Sequence, residues 1–267
     1  MNKIKAWIHG YSGRMGYELL EAFKSETQYF DLLGGSAEHL IGFYESQEIR
    51  AKINCNLYDI LPNVDLIIDF SSPEGNEYLQ EQFSKITAEK RIGVLIATTG
   101  LFESTIEKWK NLAQHNKLSV LFAPNTSLGV LLTLKSALNL SSILKPKGFD
   151  IEILESHHRN KADAPSGTAK FIAETIAKQH DLNTVYSRTS KRKHEELGVS
   201  SLRGGAVFGE HSIHFLGDFE EIVITHKAIS RRLFANGALV LGRWLINQSE
   251  GVFSLLDVDL NITMTSA

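Results

Sequence analysis

At 267 residues, with 43% hydrophobic and 22% charged positions, the chain has the composition of a globular protein of one large domain or two modest ones. Its 28 Lys and Arg against 31 Asp and Glu leave a formal charge of −3, which excludes a nucleic-acid binder working through bulk positive charge. No run of about 18 apolar residues predicts a membrane span, and Gly10 cuts the first apolar stretch too short for a signal peptide. The lone Cys55 excludes an internal disulfide and a thiolate zinc site, so the expected setting is cytoplasmic.

The first half alternates two textures. Residues 4–9 read as a strand, followed by a glycine-rich turn and a helix with Met15, Leu19, Leu20 and Phe23 on one face. Further strands are predicted at 30–37, 64–70, 92–97 and 120–123, with a helix at 103–115 before the last of them. Strands alternating with helices indicate βαβ units and a mostly parallel sheet. After Pro124 the texture changes. A helix is predicted over 128–144, stopped by Lys145-Pro146-Lys147-Gly148. A strand at 149–155, a polar loop at 156–167 and a helix at 168–180 follow. Residues 181–196 read as a solvated polar loop. Short strands near 202–208, 212–216 and 221–226 precede a last helix at 234–250. The expected fold class is α/β: a Rossmann-like dinucleotide-binding domain (1–125 and 233–267) with an inserted α+β substrate and oligomerisation domain (126–232).

Two stretches carry chemistry. Gly10, Gly13 and Gly16 lie between the first strand and the first helix, where missing Cβ atoms let backbone N–H groups approach a pyrophosphate. The standard fingerprint has its second glycine where this chain has Ser12, so context must carry the reading. Glu38, at the end of the second strand, is placed to accept hydrogen bonds from a ribose diol. His39 follows it where an Arg would best hold a 2′-phosphate, which leans the reading toward NADH over NADPH. Ala97-Thr98-Thr99-Gly100 and Ala123-Pro124-Asn125-Thr126 end strands on the ligand-binding side of such a sheet.

The second stretch is Glu155 to Thr168. His157, His158, Arg159 and Lys161 give it a positive field, and Ser166-Gly167-Thr168 opens a helix whose free N–H groups suit a carboxylate. A dianionic small molecule fits that combination. His157 is a natural general acid, with Lys161 as a second donor. A metal reading fails on ligands: His157 and His158 point apart, and His211 and His214 fall on opposite faces of a strand.

These residues resemble the 4-hydroxy-tetrahydrodipicolinate reductase (dihydrodipicolinate reductase) family. The resemblance is carried by Gly10 to Gly16, Asp69 to Gly75, Ala97 to Gly100, Ala123 to Val130, Glu155 to Thr168, Ile224 to Ala228 and Phe234 to Ala238. It implies reduction of 4-hydroxy-tetrahydrodipicolinate to tetrahydrodipicolinate with loss of water, in lysine and diaminopimelate biosynthesis. By matching positions it implies cofactor binding by Gly10, Tyr11, Ser12, Gly13, Arg14, Met15, Glu38, Ala97, Thr98, Thr99, Ala123, Pro124, Asn125 and Thr126. His157 and Lys161 match the catalytic residues, and His158, Gly167 and Thr168 the substrate-carboxylate binders. No metal is implied, and a homotetramer built on the second domain's open sheet is. The chain departs from the family in having Ala97 where glycine is frequent, and His39 and Ser72 where dual-cofactor members tend to carry Arg. Which of His157 and Lys161 delivers the proton stays open. The competing readings are another Rossmann dehydrogenase, such as an aspartate dehydrogenase, and a non-catalytic nucleotide sensor. Neither accounts for an intact 157–168 stretch.

Overall fold

A computed structural model describes residues 2–36, 42–45, 50–53, 61–85 and 89–260, with backbone only for 42–45 and 50–53. The chain divides into two compact units, Met1–Ser127 with Arg232–Ala267, and Leu128–Arg231.

The first unit holds strands β1 (Ile4–His9), β2 (Phe30–Ser36), β3 (Gly42–Glu45), β4 (Arg50–Ile53), β5 (Leu66–Asp69), β6 (Ile92–Ile96), β7 (Leu118–Phe122) and β13 (Gly251–Ser254). They form one sheet in the order β13-β7-β6-β5-β1-β2-β4-β3, in which only the β3–β4 pair is antiparallel. The chain runs outward from β1 through β2 on one side and from β5 on the other, so the order reverses between β1 and β5. In open α/β sheets ligands bind outside the strand carboxyl ends at that reversal.

Helices cover both faces because β1, β5, β6 and β7 are buried on both. Trp7, Ile67, Val94 and Val120 meet Leu79 and Phe83 of α2 (Pro73–Ser84) and Trp109 of α3 (Glu103–His115) in one core. On the other face Leu66 meets Gly242 of α6 (Arg232–Leu245), where a Cβ would come within 2.5 Å of its side chain. Helix α6 also packs against α1 (Arg14–Ser25), which buries Gly16, Leu19, Leu20 and Phe23 along one stripe. The last helix lies in the first unit but ends at Leu245, short of the expected residue 250, and residues 251–254, beyond the expected helix, form an edge strand.

The second unit contains α4 (Leu128–Leu144), α5 (Gly167–His180) and strands β8 (Asp150–His157), β9 (Asn183–Tyr186), β10 (Glu196–Arg203), β11 (Gly209–Leu216) and β12 (Glu221–Ala228). Sheet order is β12-β11-β8-β10-β9, with β11 antiparallel to both neighbours. Val130, Leu134 and Ala137 of α4 and Ile172 and Ile176 of α5 close over Ile151, Ile153, Val199, Ile213 and Phe215. By length and composition alone Leu128–Lys147 passes for a membrane span. The burial of Val130, Leu134 and Ala137 in this core makes α4 a core helix.

Two expectations are corrected here. The strand expected at 202–208 lies at Glu196–Arg203, and the loop expected at 181–196 contains β9. The basic residues of that loop are also not simply solvated. Arg188 bridges Glu152 and Glu196 at 2.8 and 2.7 Å, and Arg192 bridges Asp150 and Glu152 at 2.7 and 3.1 Å, tying the segment back onto the sheet.

Candidate functional site

In the first unit the glycine turn is built by two close approaches. Gly10 has φ +86°, and a Cβ there would stand 2.7 Å from the backbone of Phe70 and Ser71, so the turn presses against the end of β5. At Gly16 a Cβ would overlap the backbone of Tyr11, which lets the first turn of α1 seat on the loop. Gly13 caps α1 with no side-chain hydrogen bond, and the first turn carries no acidic residue. Helix-end N–H groups without intrahelical acceptors, reached through a cradle that Cβ atoms would fill, suit a pyrophosphate. Ser12, Gly13 and Arg14 are exposed at this end, with Tyr11 and Met15 half-buried.

The other predicted cofactor positions line up along the strand ends. Gly10 and Tyr11 donate backbone N–H groups to Ser36 at 3.0 and 3.2 Å. Ala97 donates to Asp69 and Ala123 to Ile96, each at 2.8 Å. Several side chains here are already engaged. Thr98 Oγ1 donates to Asp69 at 2.9 Å, Thr126 Oγ1 donates to the Phe234 carbonyl at 2.7 Å, and Asn125 Oδ1 accepts from Ser127 N–H at 2.9 Å. Thr99 and Pro124 face outward. Glu38 and His39 lie outside the described residues.

Sequence reading missed the buried supports of this end. His9 Nε2 stands 2.8 Å from the Gly75 carbonyl, which can only accept, so Nε2 donates there, and Nδ1 lies 2.6 Å from Ser36 Oγ. Asp69 is fully buried and accepts four hydrogen bonds, from Ser71 N–H, Ser71 Oγ, Asn76 and Thr98. Both polar residues sit inside apolar runs, where periodicity reads only strand.

The second unit carries the other stretch. Along its helix-covered face, successive rows of the sheet change character at one level. The row Val199, Ile153, Ile213, Ile224 is apolar, whereas the next row is Ser201, Glu155, His211, His226. Beyond it Arg203 pairs with His157, and Gly209 with Ala228. His157 is thus the last residue of β8 and not part of a loop, and it is buried along with Glu155 and His211. Its ring lies over Gly209, where a Cβ would come within 2.8 Å of Cε1, and meets the His211 ring edge-on at 5.3 Å.

Charge is concentrated in this row. Arg203 stands 2.7 Å from Glu155 Oε1, and His157 Nε2 stands 3.3 Å from Glu155 Oε2. Burial alone would raise the Glu155 carboxyl, but the Arg203 and Ser201 contacts outweigh it and hold the group below the usual range. Burial lowers the His157 imidazole, opposed by Glu155 and assisted by Lys161, Arg203 and His158. His211 is pushed down to about 4, chiefly by burial, and is neutral at ordinary pH.

From His157 the chain enters the loop and then α5. The His157 carbonyl accepts from Gly204 N–H at 3.0 Å, and Arg203 donates to the Asp163 carbonyl at 2.5 Å. Lys161 pairs with Asp163 at 2.7 Å. Burial raises the Asp163 carboxyl, but Lys161 and the backbone N–H of Gly167 together hold it down. Ser166 caps α5 by accepting from Ala169 N–H at 3.2 Å, and its hydroxyl also contacts His211 Nε2 at 3.2 Å. The structure therefore brings His157, Lys161, Gly167 and Thr168 into one segment that runs from a strand end to a helix start. His158 is half-buried beside them.

Contrary to the expectation from sequence, potential metal ligands do converge in this row. Pairing of β8 with β11 sets His211 opposite Glu155, so Glu155, His157 and His211 offer ligand atoms within 4.8 Å of one another. Sequence spacing cannot show a cluster assembled across strands. The Arg203 guanidinium already occupies Glu155, and Lys161 adds a second positive charge to the field of both histidines, so the row is poorly suited to a cation.

A doubly wound sheet with a glycine cradle, joined to a second unit bearing a basic, anion-accepting helix end, defines a dinucleotide-dependent oxidoreductase. Comparison with known proteins makes the class specific. Residues 4–126 match the family model for the dihydrodipicolinate reductase N-terminus, and residues 129–258 match that for its C-terminus. A 4-hydroxy-tetrahydrodipicolinate reductase of Aquifex aeolicus (strain VF5) is 36% identical, with 96% of this chain and 98% of the relative covered. The enzyme of the same name from Polynucleobacter necessarius subsp. necessarius (strain STIR1) is 35% identical over the same shares. The fold is that of a dipicolinate-bound dihydrodipicolinate reductase from Paenisporosarcina sp. TG-14, at TM-score 0.75 and 23% identity, covering 95% of this chain and 98% of that one. The chain belongs to the dihydrodipicolinate reductase family.

Proposed function

We propose that this protein reduces 4-hydroxy-tetrahydrodipicolinate to tetrahydrodipicolinate, with loss of water, in lysine and diaminopimelate biosynthesis. The observation that carries the reading is the 157–168 segment: a buried imidazole at a strand end, a lysine four residues on, and a serine-capped helix start. Family membership adds the substrate. The nicotinamide cofactor, when bound, supplies the hydride.

The chain's own residues supply the rest. Gly10, Tyr11 and Gly13 shape the turn, their own N–H groups donating to the Ser36 and Gly10 carbonyls, while the N–H groups of Ser12, Arg14 and Met15 hold the pyrophosphate, and Glu38 takes the ribose diol. With Thr98, Asn125 and Thr126 engaged internally, the 97–99 and 123–126 loops offer mainly peptide groups and the outward Thr99. The N-terminal N–H groups of α5, with Thr168 and His158, bind the substrate carboxylates. Gly167 N–H and Lys161 are held by Asp163 and exchange that carboxylate for one of the substrate's. His157 and Lys161 handle the proton that the reduced ring must gain, and the surrounding positive charge steadies the anion that develops first.

The cofactor preferred is NADH. His39 lacks the guanidinium fork that best holds a 2′-phosphate, and the Ser72 hydroxyl is engaged as the N-cap of α2, accepting from Gly75 N–H at 3.2 Å. The state proposed is a cytoplasmic homotetramer. The sheet face of the second unit away from α4 and α5 supports it by exposing Leu154, Leu202 and Val223.

A coupled assay tests the reaction. A synthase generates the unstable substrate in place, and loss of reduced nicotinamide absorbance is followed with NADH and NADPH separately. Turnover dependent on the synthase product, with higher kcat/KM for NADH, is the expected result. A preference for NADPH of about tenfold or more would reverse the cofactor assignment. In the same assay Thr168→Val is expected mainly to raise KM, by the ~1.5–3 kcal/mol of one hydrogen bond to a charged group. A change confined to kcat would move that contact to the transition state.

A further inference from the structure

Most buried side-chain polar atoms that lack an aligned hydrogen bond, among the described residues, fall in one place. Both carboxylate oxygens of Glu155, both ring nitrogens of His157, Ser201 Oγ, Arg203 Nε and His211 Nδ1 belong to the polar rows of the second sheet. The charged contacts of Glu155 with Arg203 and His157 are close but not well aligned. Buried polar groups normally find partners, so a cluster held together by charge rather than by alignment asks what the charge does.

The layout answers it. Residues 151 and 153 on this face of β8 are isoleucines fully inside the core, and residue 155, at the same depth, is a fully buried carboxylate. Nothing in the packing asks for a charge there, since an apolar side chain would extend the core. The charge has one uncommitted direction. Arg203 takes Oε1, whereas Oε2 faces the ring of His157, two residues along the strand on the same side. The other groups around that ring add no negative charge. Arg203 comes from β10, neutral His211 from β11 with His226 behind it, and Lys161 and His158 from the loop. Gly209, by having no Cβ, keeps the ring in this position.

We propose that Glu155 is the positioning residue for His157: its buried carboxylate, fixed by Arg203, orients the imidazole and lets it carry a proton among positive neighbours. This rests on the reading of His157 as a proton-handling residue, but the assignment of Glu155 can be tested without turnover.

Removing either partner alone would strand the other's buried charge, so the comparison is the wild type against the charge-neutral pair E155Q/R203Q. In both, the His157 Cε1–Hε1 resonance is identified by its loss in His157→Gln and titrated by NMR. The expected result is a His157 midpoint about half a pH unit or more lower in the double variant than in the wild type, since the carboxylate that favours the charged ring acts more strongly on it than the guanidinium that opposes it. Equal midpoints would overturn the proposal. The same pair is then compared in the pH dependence of kcat. A limb that moves by the same amount supports both assignments, and a merely structural role would lower activity at every pH without moving the limb. An NMR midpoint that moves while the kcat limb stays still supports Glu155 as the partner of His157 and removes His157 from the reaction.

Discussion

His157→Ala is expected to lower kcat by about 100-fold or more while leaving NADH affinity unchanged. The ring is buried at the end of β8, edge-on to His211 and above Gly209, so its position is set by the sheet and not by a mobile loop. A general acid fixed in this way contributes about 10²–10⁴ in rate, and alanine removes it without changing the α5 N-terminus that would bind the substrate. NADH affinity is spared because the Gly10–Met15 cradle belongs to the other unit, with its own core. Calorimetry with NADH and steady-state kinetics on one preparation measure both quantities. A kcat within about threefold of wild type would leave Lys161 as the proton donor.

The pH dependence sharpens this expectation. Burial first, then Lys161, Arg203 and His158, hold the His157 imidazole below its ordinary 6.5, with only Glu155 opposing. A step that requires the protonated ring is therefore fastest on the acid side and falls as pH rises through a midpoint below 6.5. His157→Ala should abolish that limb. If the limb survives in the variant, the titrating group is another one.

How much of this was legible in the sequence depends on the range of the interaction. Strand β1, helix α3 and the long helix α4 follow from local apolar spacing and stop signals, and the structure places them at the expected residues. Strands β9 and β13 were missed because each is short and at an edge or near one, with partly exposed side chains and little apolar signal. The register of β10 was misjudged because its charged end, Glu196, is held by Arg188 and not by solvent. The site divides in the same way. His157, Lys161 and the Ser166 cap lie within one stretch and could be read together. Glu155, Arg203 and His211 meet only through the pairing of three strands, a relation that spacing along the chain does not encode. Gly209 reads as an ordinary glycine until the ring of His157 is seen above it.

The buried carboxylate of the first unit gives the other large expected effect: Asp69→Asn is expected to destabilise the protein by about 2–3 kcal/mol, although the side chains have nearly the same shape. Trp109 has an indole Nε1 that can only donate, and it lies 2.9 Å from Asn76 Oδ1. That contact fixes the orientation of the Asn76 amide, so its NH2 group must point at Asp69 Oδ2, which it meets at 2.7 Å. On the other side Ser71 N–H, also a donor without choice, meets Oδ1 at 2.9 Å. Both oxygens of residue 69 therefore face N–H groups, and an asparagine must turn its own NH2 toward one of them. One buried donor is left facing another whichever way the amide is placed, at about 1–3 kcal/mol for each group unsatisfied. Asp69→Ala loses all four contacts and is expected to cost more, about 3 kcal/mol at the least. Because Thr98 and Ser71 hang from this carboxylate at the strand ends beside the glycine cradle, both variants should also raise KM for NADH. Denaturant unfolding of the wild type, both variants and Ser71→Ala measures the series. Stability of the asparagine variant within about 0.5 kcal/mol of wild type would mean that the Trp109–Asn76–Asp69 chain of donors does not hold as drawn.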